Sequence, residues 1–258
     1  MNRVKAAPLY VTMEHLEDGT AWGVAANSGN ANACCPMSHE YAEEMARLAA
    51  RATGRAPADF VVASTGVIGQ TLNIAAIRAG MPEAAAGLTA GPEGSDAAAR
   101  AIMTTDTVKK ELALACSIGG RTVTLGAIAK GSGMIHPNMG TMLCFVTTDC
   151  AITREMLSEA LREVVPRTFN RVTVDGDTST NDMCAVLANG MAGNPLIEWK
   201  DDGYTVFLKA LRQLCQELAR AIAGDGEGPA ASSPAPCGRP AARRAPSAWP
   251  RRWWAPPW

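Results

Sequence analysis

Hydrophobic and polar positions along this chain alternate between two periods. Short β-rich runs at residues 22–26, 60–63 and 143–146 predict strands, and each runs into a Gly-, Ser- or Thr-rich stretch. Residues 111–116 and 122–130 form another pair of runs around Ile118-Gly119-Gly120-Arg121. Two consecutive glycines can take the positive φ angles of a tight primed turn, so this pair predicts a hairpin. The helical period appears over 38–53, with Ser38 as N-cap and Gly54 just past the end, and over 95–103, with Ser95 as N-cap. It returns over 153–165, with Met156, Leu157, Ala160, Leu161 and Val164 on one face. A last helix is predicted over 206–222, where Leu208, Leu211, Cys215, Leu218 and Ile222 form a stripe suited to packing on a sheet. Strands and helices are interspersed, which predicts an α/β or α+β protein with layered packing.

Both periods vanish after Glu227. The stretch 228–258 holds half of the chain's 16 prolines, four of its six tryptophans and five arginines without one acid. Such a segment cannot build a core; it reads as disordered, or as out-of-frame translation of a GC-rich gene, rather than as a basic aromatic tail with a partner.

Composition narrows the function more than the fold. A chain of 258 residues with 47% hydrophobic content is long enough for one large domain or two small ones. Its 24 basic and 25 acidic residues nearly cancel, so no field draws in nucleic acid or an anionic membrane, and a small-molecule partner is expected. The start has a basic flank but no apolar run behind it, and no segment reaches the roughly 18 apolar residues of a membrane span, so a cytoplasmic location is expected. The eight cysteines show no CxxC pair and no histidine at zinc-finger spacing, which predicts reduced thiols used mostly as small core residues.

The segment KGSGMIHPNMGTML, 130–143, carries three glycines and a proline between two predicted strands. A tight, exposed, strained loop is the natural inference. Such a loop can distort the Gly140 carbonyl so that the Thr141 hydroxyl attacks it, giving an N-to-O acyl shift and then an ester that water cleaves. Once cut, Thr141 would own both a nucleophilic hydroxyl and a free α-amine, whose pKa of about 7.7 makes it a usable base. Taken alone, a Gly-Thr pair at a strand start is an ordinary β-forming threonine, Thr65-Gly66 an ordinary turn, Lys130 a solvated lysine and Glu227 a surface acid. Residues 175–182, DGDTSTND, invite a calcium reading but fail it. The sixth position is Thr180 where an EF-hand loop needs glycine, and the twelfth is Val186 where it needs a bidentate glutamate. No GxxxxGK phosphate loop is present, and His136 reads as a loop side chain without a proton-transfer role.

Five motifs in one order change these readings: ANSGNANAC (26–34), ASTGVIG (63–69), IMTTDT (102–107), KGSGMIHPNMGTML (130–143) and FNRVTVDGDTSTND (169–182). Together they resemble the ornithine acetyltransferases (glutamate N-acetyltransferases) of arginine biosynthesis over about residues 22–227. The resemblance implies a layered α/β sandwich with helices outside the sheets, of the self-cleaved N-terminal-threonine (DmpA-like) type. It implies a cut after Gly140 into an α chain, 1–140, and a β chain beginning at Thr141 and running through 141–227, with 228–258 unmatched. Thr141 would carry the acetyl group from N2-acetylornithine to glutamate, with no metal or organic cofactor, and acetyl-CoA stays open as a second donor. The oxyanion hole would fall on Thr65 and Gly66, and substrate contacts on Thr107, Lys130, Thr141 and Glu227, the acid of the DGEG motif. The DGDTSTND stretch would support the site through hydrogen bonds. The two fragments would stay associated and assemble further as a dimer of such pairs.

Against the family pattern, the lead before ANSGNANAC is short and matches poorly, and the match stops at Glu227-Gly228. This predicts a chain truncated at both ends, lacking a starting strand and part of the core. Two rival functions follow: an N-terminal-nucleophile hydrolase, either aminopeptidase or amidase, or an inactive truncated relative.

Overall fold

A computed structural model of the chain describes residues 4–135 and 142–226. Its frame is two sheets set face to face. β1 (Gly23–Asn27) and β2 (Phe60–Ser64) pair in parallel. β3 (Lys110–Ile118), β4 (Arg121–Lys130), β5 (Leu143–Thr148) and β6 (Met183–Ala188) form a four-stranded sheet in that order, antiparallel except for the parallel β5–β6 pair. The predicted hairpin is present: Gly119 and Gly120 have φ of 56° and 75°, and Ile118 faces Arg121 across the turn.

The period-2 alternation of the strands builds the layers. On β2, Val61 and Ala63 join Leu143 and Phe145 of β5 and Met183 of β6 in one buried cluster between the sheets. The alternate residue Val62 faces the other way, onto α1 (Ala7–His15) and α2 (Ser38–Thr53), where it meets Val11, Ala42, Met45 and Ala46. On β5, Cys144 and Val146 face away from β2 and pack with Leu211, Leu214, Cys215 and Leu218 of α6 (Asp202–Gly224). The order is therefore helices, sheet, sheet, helices, with α5 (Arg154–Val164) beside α6, as the layered expectation had it.

Several boundaries differ from the sequence reading, each for a local reason. Ser38 is the first helical residue, not the cap; Met37 takes the cap position with φ 63°, and the Ser38 hydroxyl donates to the Cys35 carbonyl at 2.8 Å. Ser95 is likewise no cap, because α4 (Pro92–Ala101) begins earlier, where Pro92 supplies a preset φ. Thr153 precedes α5 and caps it, accepting from the Met156 N–H at 3.4 Å. Asp201 caps α6 at 2.7 Å from the Tyr204 N–H and starts that helix earlier than its apolar stripe does.

Three elements carried no clear period. They are α1, α3 (Ile74–Ala86), which buries no residue and has Pro82 inside it, and β6. At the start of the described chain, α1 lies along β2. The Thr12 hydroxyl donates to the Val62 carbonyl at 2.8 Å and accepts the Val62 N–H at 2.7 Å, and His15 Nδ1 sits 2.8 Å from the Phe60 carbonyl. A helix side chain thus satisfies backbone groups on the edge of β2 that β1 does not reach.

Candidate active site

The strand ends that carry the motifs meet at one edge of the two sheets. At the end of β2, Thr65 donates its N–H to the Asn27 carbonyl at 3.0 Å, and Val67 donates to Gly29 at 3.2 Å. Gly66 has φ 131°, and a Cβ there would lie 2.2 Å from the Gly29 carbonyl carbon. Only glycine lets these two loops approach so closely. The asparagines of the 26–34 loop hold its shape because each offers both donors and an acceptor. Asn27 Nδ2 donates to the Asn30 carbonyl at 2.9 Å, Ser64 Oγ donates to Asn27 Oδ1 at 2.6 Å, and Asn30 Nδ2 donates to the Gln70 carbonyl at 3.0 Å. Thr65 is fully buried, yet its hydroxyl has no hydrogen-bond partner among the described residues. A buried unpaired hydroxyl costs about 1–3 kcal/mol, and Thr65 shares this state with Thr124 and Tyr204 among the described residues; it alone of the three stands beside the motif loops.

The loop 175–182 ties this strand end to the flanks of the segment 136–141. Asn181 Nδ2 donates to the Ala31 carbonyl at 2.6 Å and to the Ser64 carbonyl at 2.9 Å. Asp182 Oδ1 accepts the Met142 N–H at 3.1 Å, directly before β5. Asp175 accepts the N–H of Met134 and, at 2.9 Å, that of Ile135. The two acids answer burial differently. Burial pushes the Asp182 carboxyl up to about 7, against the Met142 N–H, the Ser179 hydroxyl and the charge of Lys130. At Asp175 burial also raises the pKa, but the N–H groups of Asp177, Met134 and Ile135 outweigh it and hold the carboxyl below its ordinary value.

Beneath β4 lies a web of buried charge. Lys130 is 1% exposed; its Nζ donates to Thr104 Oγ1 at 2.7 Å and lies 3.7 Å from Asp106 Oδ2. It is no solvated surface lysine. Asp106 Oδ1 also accepts from Lys110 Nζ and from the Gly131 N–H, both at 2.7 Å. Lys110 Nζ in turn donates to Asp225 Oδ2 at 2.6 Å. Burial raises both Asp106 and Asp225, but Lys110 and the neighbouring donors outweigh it, and both carboxyls stay below the ordinary range. Thr107 is exposed at the rim, and its hydroxyl and N–H both donate to Asp225.

Of the residues predicted from sequence, Thr65, Gly66, Thr107 and Lys130 line this edge. Thr141, Gly140, His136 and Glu227 lie outside the described residues. Asp106, Lys110, Asp175, Asp182 and Asp225 were not singled out. Four of them stand in the quoted motifs, and Lys110 lies just before the run that starts at residue 111, outside every motif. Elsewhere, Glu14, His39 and Glu43 bring possible metal-ligand atoms within 4.8 Å of one another on the outer face of α1 and α2. The described cysteines are free thiols, and burial pushes Cys150 up to about 12. No helix among the described residues is long and apolar enough to cross a membrane.

A profile of the ArgJ family matches residues 1–233, so the match includes the lead that had looked poor. The arginine biosynthesis bifunctional protein ArgJ of Symbiobacterium thermophilum is 57% identical over 228 residues, covering 88% of this chain and 56% of that protein. ArgJ 1 of Clostridium acetobutylicum is 46% identical over 228 residues, with 88% and 55% covered. The chain thus spans about half the length of the curated relatives it matches. Among solved structures, that of the bifunctional ArgJ of Bacillus halodurans shares 38% identity and a TM-score of 0.50, covering 55% of this chain and 73% of that one.

Proposed function

The chain belongs to the ArgJ family, and from that premise we propose that it carries the acetyl-transfer site of an N-terminal-threonine enzyme of arginine biosynthesis, cut before Thr141. The relatives' names place them in arginine biosynthesis; the acetylornithine-to-glutamate reaction is what the resemblance of the motifs implies. Thr141 Oγ attacks the acetyl carbonyl of N2-acetylornithine while the α-amine freed by the cut takes the hydroxyl proton. The tetrahedral oxyanion collapses, the ornithine amine leaves with that proton, and an acetyl-threonine ester remains. The glutamate amine then attacks the ester, and N-acetylglutamate departs as the hydroxyl regains its proton.

Both oxyanions need donors already in place. The observation that carries the reading is Thr65, whose buried hydroxyl has no partner among the described residues and which precedes a glycine whose Cβ would collide with the Gly29 backbone. Asn181 and Asp182 tie that strand end to the backbone at Met142, the next residue after Thr141. Lys130 would meet a substrate carboxylate from the buried side, as a charge-assisted bond. Thr107, already bonded to Asp225, would shape the rim, and Glu227 would receive the ornithine ammonium. The α and β fragments would remain together, paired into a dimer, and the site would lie in a soluble cytoplasmic enzyme.

The test is to mix the purified chain with acetyl-labelled N2-acetylornithine, with and without glutamate. Label held covalently on a fragment beginning at Thr141, and passed to glutamate on its addition, is the expected result. Label released as free acetate whether or not glutamate is present would mean a hydrolase. No label transfer from a chain that folds and cuts would mean an inactive relative. Substituting acetyl-CoA as donor shows whether the second activity is present.

A further inference from the structure

Two carboxylates of the 175–182 loop grip the chain on opposite sides of residues 136–141, Asp175 at Met134 and Ile135 and Asp182 at Met142. Their surroundings differ. Asp175 sits among backbone donors at the surface, whereas Asp182 is part-buried and meets the Met142 N–H, the Ser179 hydroxyl and the field of Lys130 from β4, itself 3.7 Å from Asp106. Ser179 and Asn181, on either side of Thr180, are buried, so the Asp182 backbone is fixed from its own loop, and Met183 returns to the Met142 carbonyl at 3.0 Å.

We propose that Asp182 is a positioning residue for the cut before Thr141: its carboxylate holds the backbone N–H of Met142, the residue that directly follows Thr141. The proposal rests on the reading that the chain cuts there. Asp182 acts through the N–H of Met142, so its role is one of positioning. An ionised carboxylate accepts an N–H more strongly than a neutral acid does. The grip therefore tightens as Asp182 ionises, around the value of about 7 to which burial has moved it. In this role Asp175, held ionised throughout, is a constant anchor and Asp182 the variable one.

The experiment follows fragment formation over time in freshly synthesised full-length chain on either side of about pH 7. Wild type is expected to cut faster as pH rises through that value. Asp182→Ala should cut about tenfold more slowly or worse, the loss of one charged hydrogen bond. Asp182→Asn, which keeps an acceptor of the same shape, should recover part of the rate but lose the pH step. A separate arm measures amide hydrogen exchange at Met142 in the Thr141→Ala chain, which cannot cut, with and without Asp182→Ala. Faster exchange at Met142, with α6 amides unchanged, is expected. Equal protection at Met142 overturns the proposal, as does a folded Asp182→Ala chain that cuts at the wild-type rate or a pH step that persists in Asp182→Asn. If wild type never cuts, the reading of Thr141 fails, and the exchange arm alone decides whether Asp182 holds Met142.

Discussion

The outer face of α2 and the floor beneath β4 are both rich in ion pairs, but they make opposite use of them. On α2, Glu44 meets Arg47, Arg51 and Arg78 at 3.0–3.3 Å, with arginine side chains that are about half or more exposed. Beneath β4, Lys110 meets Asp106 and Asp225 at 2.7 and 2.6 Å, and all three side chains are nearly inaccessible. Water screens the first set and lets each partner solvate itself when the other leaves. In the second set a removed partner strands its mate in a low-dielectric interior. The density of charge on a surface says little about its energetic weight; the solvent each charge has lost decides that. The buried set also joins residues far apart in the chain, so it fixes where α6 ends relative to β3 and β4.

Removing the hub of the buried web should have the largest effect. Lys110→Met leaves Asp106 and Asp225 without their common partner, and a loss of about 3–5 kcal/mol in urea unfolding is expected. The same web sets the acid limit. The folded pKa values of Asp106 and Asp225 lie below those of the unfolded chain, so their contribution is complete above the ordinary carboxylate range and disappears as pH falls through the folded values. Acid unfolding of wild type should therefore be steeper than that of Lys110→Met, compared by far-UV circular dichroism.

Asp182 tests the opposite sign within the same edge of the molecule. Its folded pKa of about 7 lies above the model-peptide value of 3.8, so the stability it confers is full below that lower value and is lost as pH rises through about 7. Asp182→Asn, always neutral, should raise the unfolding free energy measured in urea at alkaline pH by about 1–2 kcal/mol and leave it nearly unchanged at acid pH. A variant that gains stability while losing its pH-dependent cut would show that the acid is retained for positioning. At the small end, Glu44→Gln on α2 should cost no more than about 1 kcal/mol, and salt should shrink that further. A loss comparable to that of Lys110→Met would break the contrast between the two regions.

What could be read from the sequence was what is decided locally. The turn at Gly119-Gly120 and the helix ending at Gly54 need only their own residues, and both are where the pattern put them. Gly66 was legible for the same reason, as a glycine at a strand end, whereas the oxyanion role of Thr65 and Gly66 rests on the family resemblance alone. β6 and α1 were not, because neither keeps a clean apolar stripe and each is defined by what it packs against. Lys130 read as a surface lysine until Thr104, Asp106 and the strand over them enclosed it. The opposite shifts of Asp175 and Asp182 were beyond sequence reading altogether, since two aspartates in one polar loop look alike until burial separates them. Lys110 and Asp225, 115 residues apart, gave no signal of being partners.

The most direct measurement is intact mass with N-terminal sequencing of the expressed chain, alongside Thr141→Ala. Two associated fragments, the second beginning Thr-Met-Leu-Cys and absent from the variant, are the predicted result. A folded chain that remains in one piece, or one cut at the same bond with alanine at 141, would contradict the assignment of Thr141 as the nucleophile.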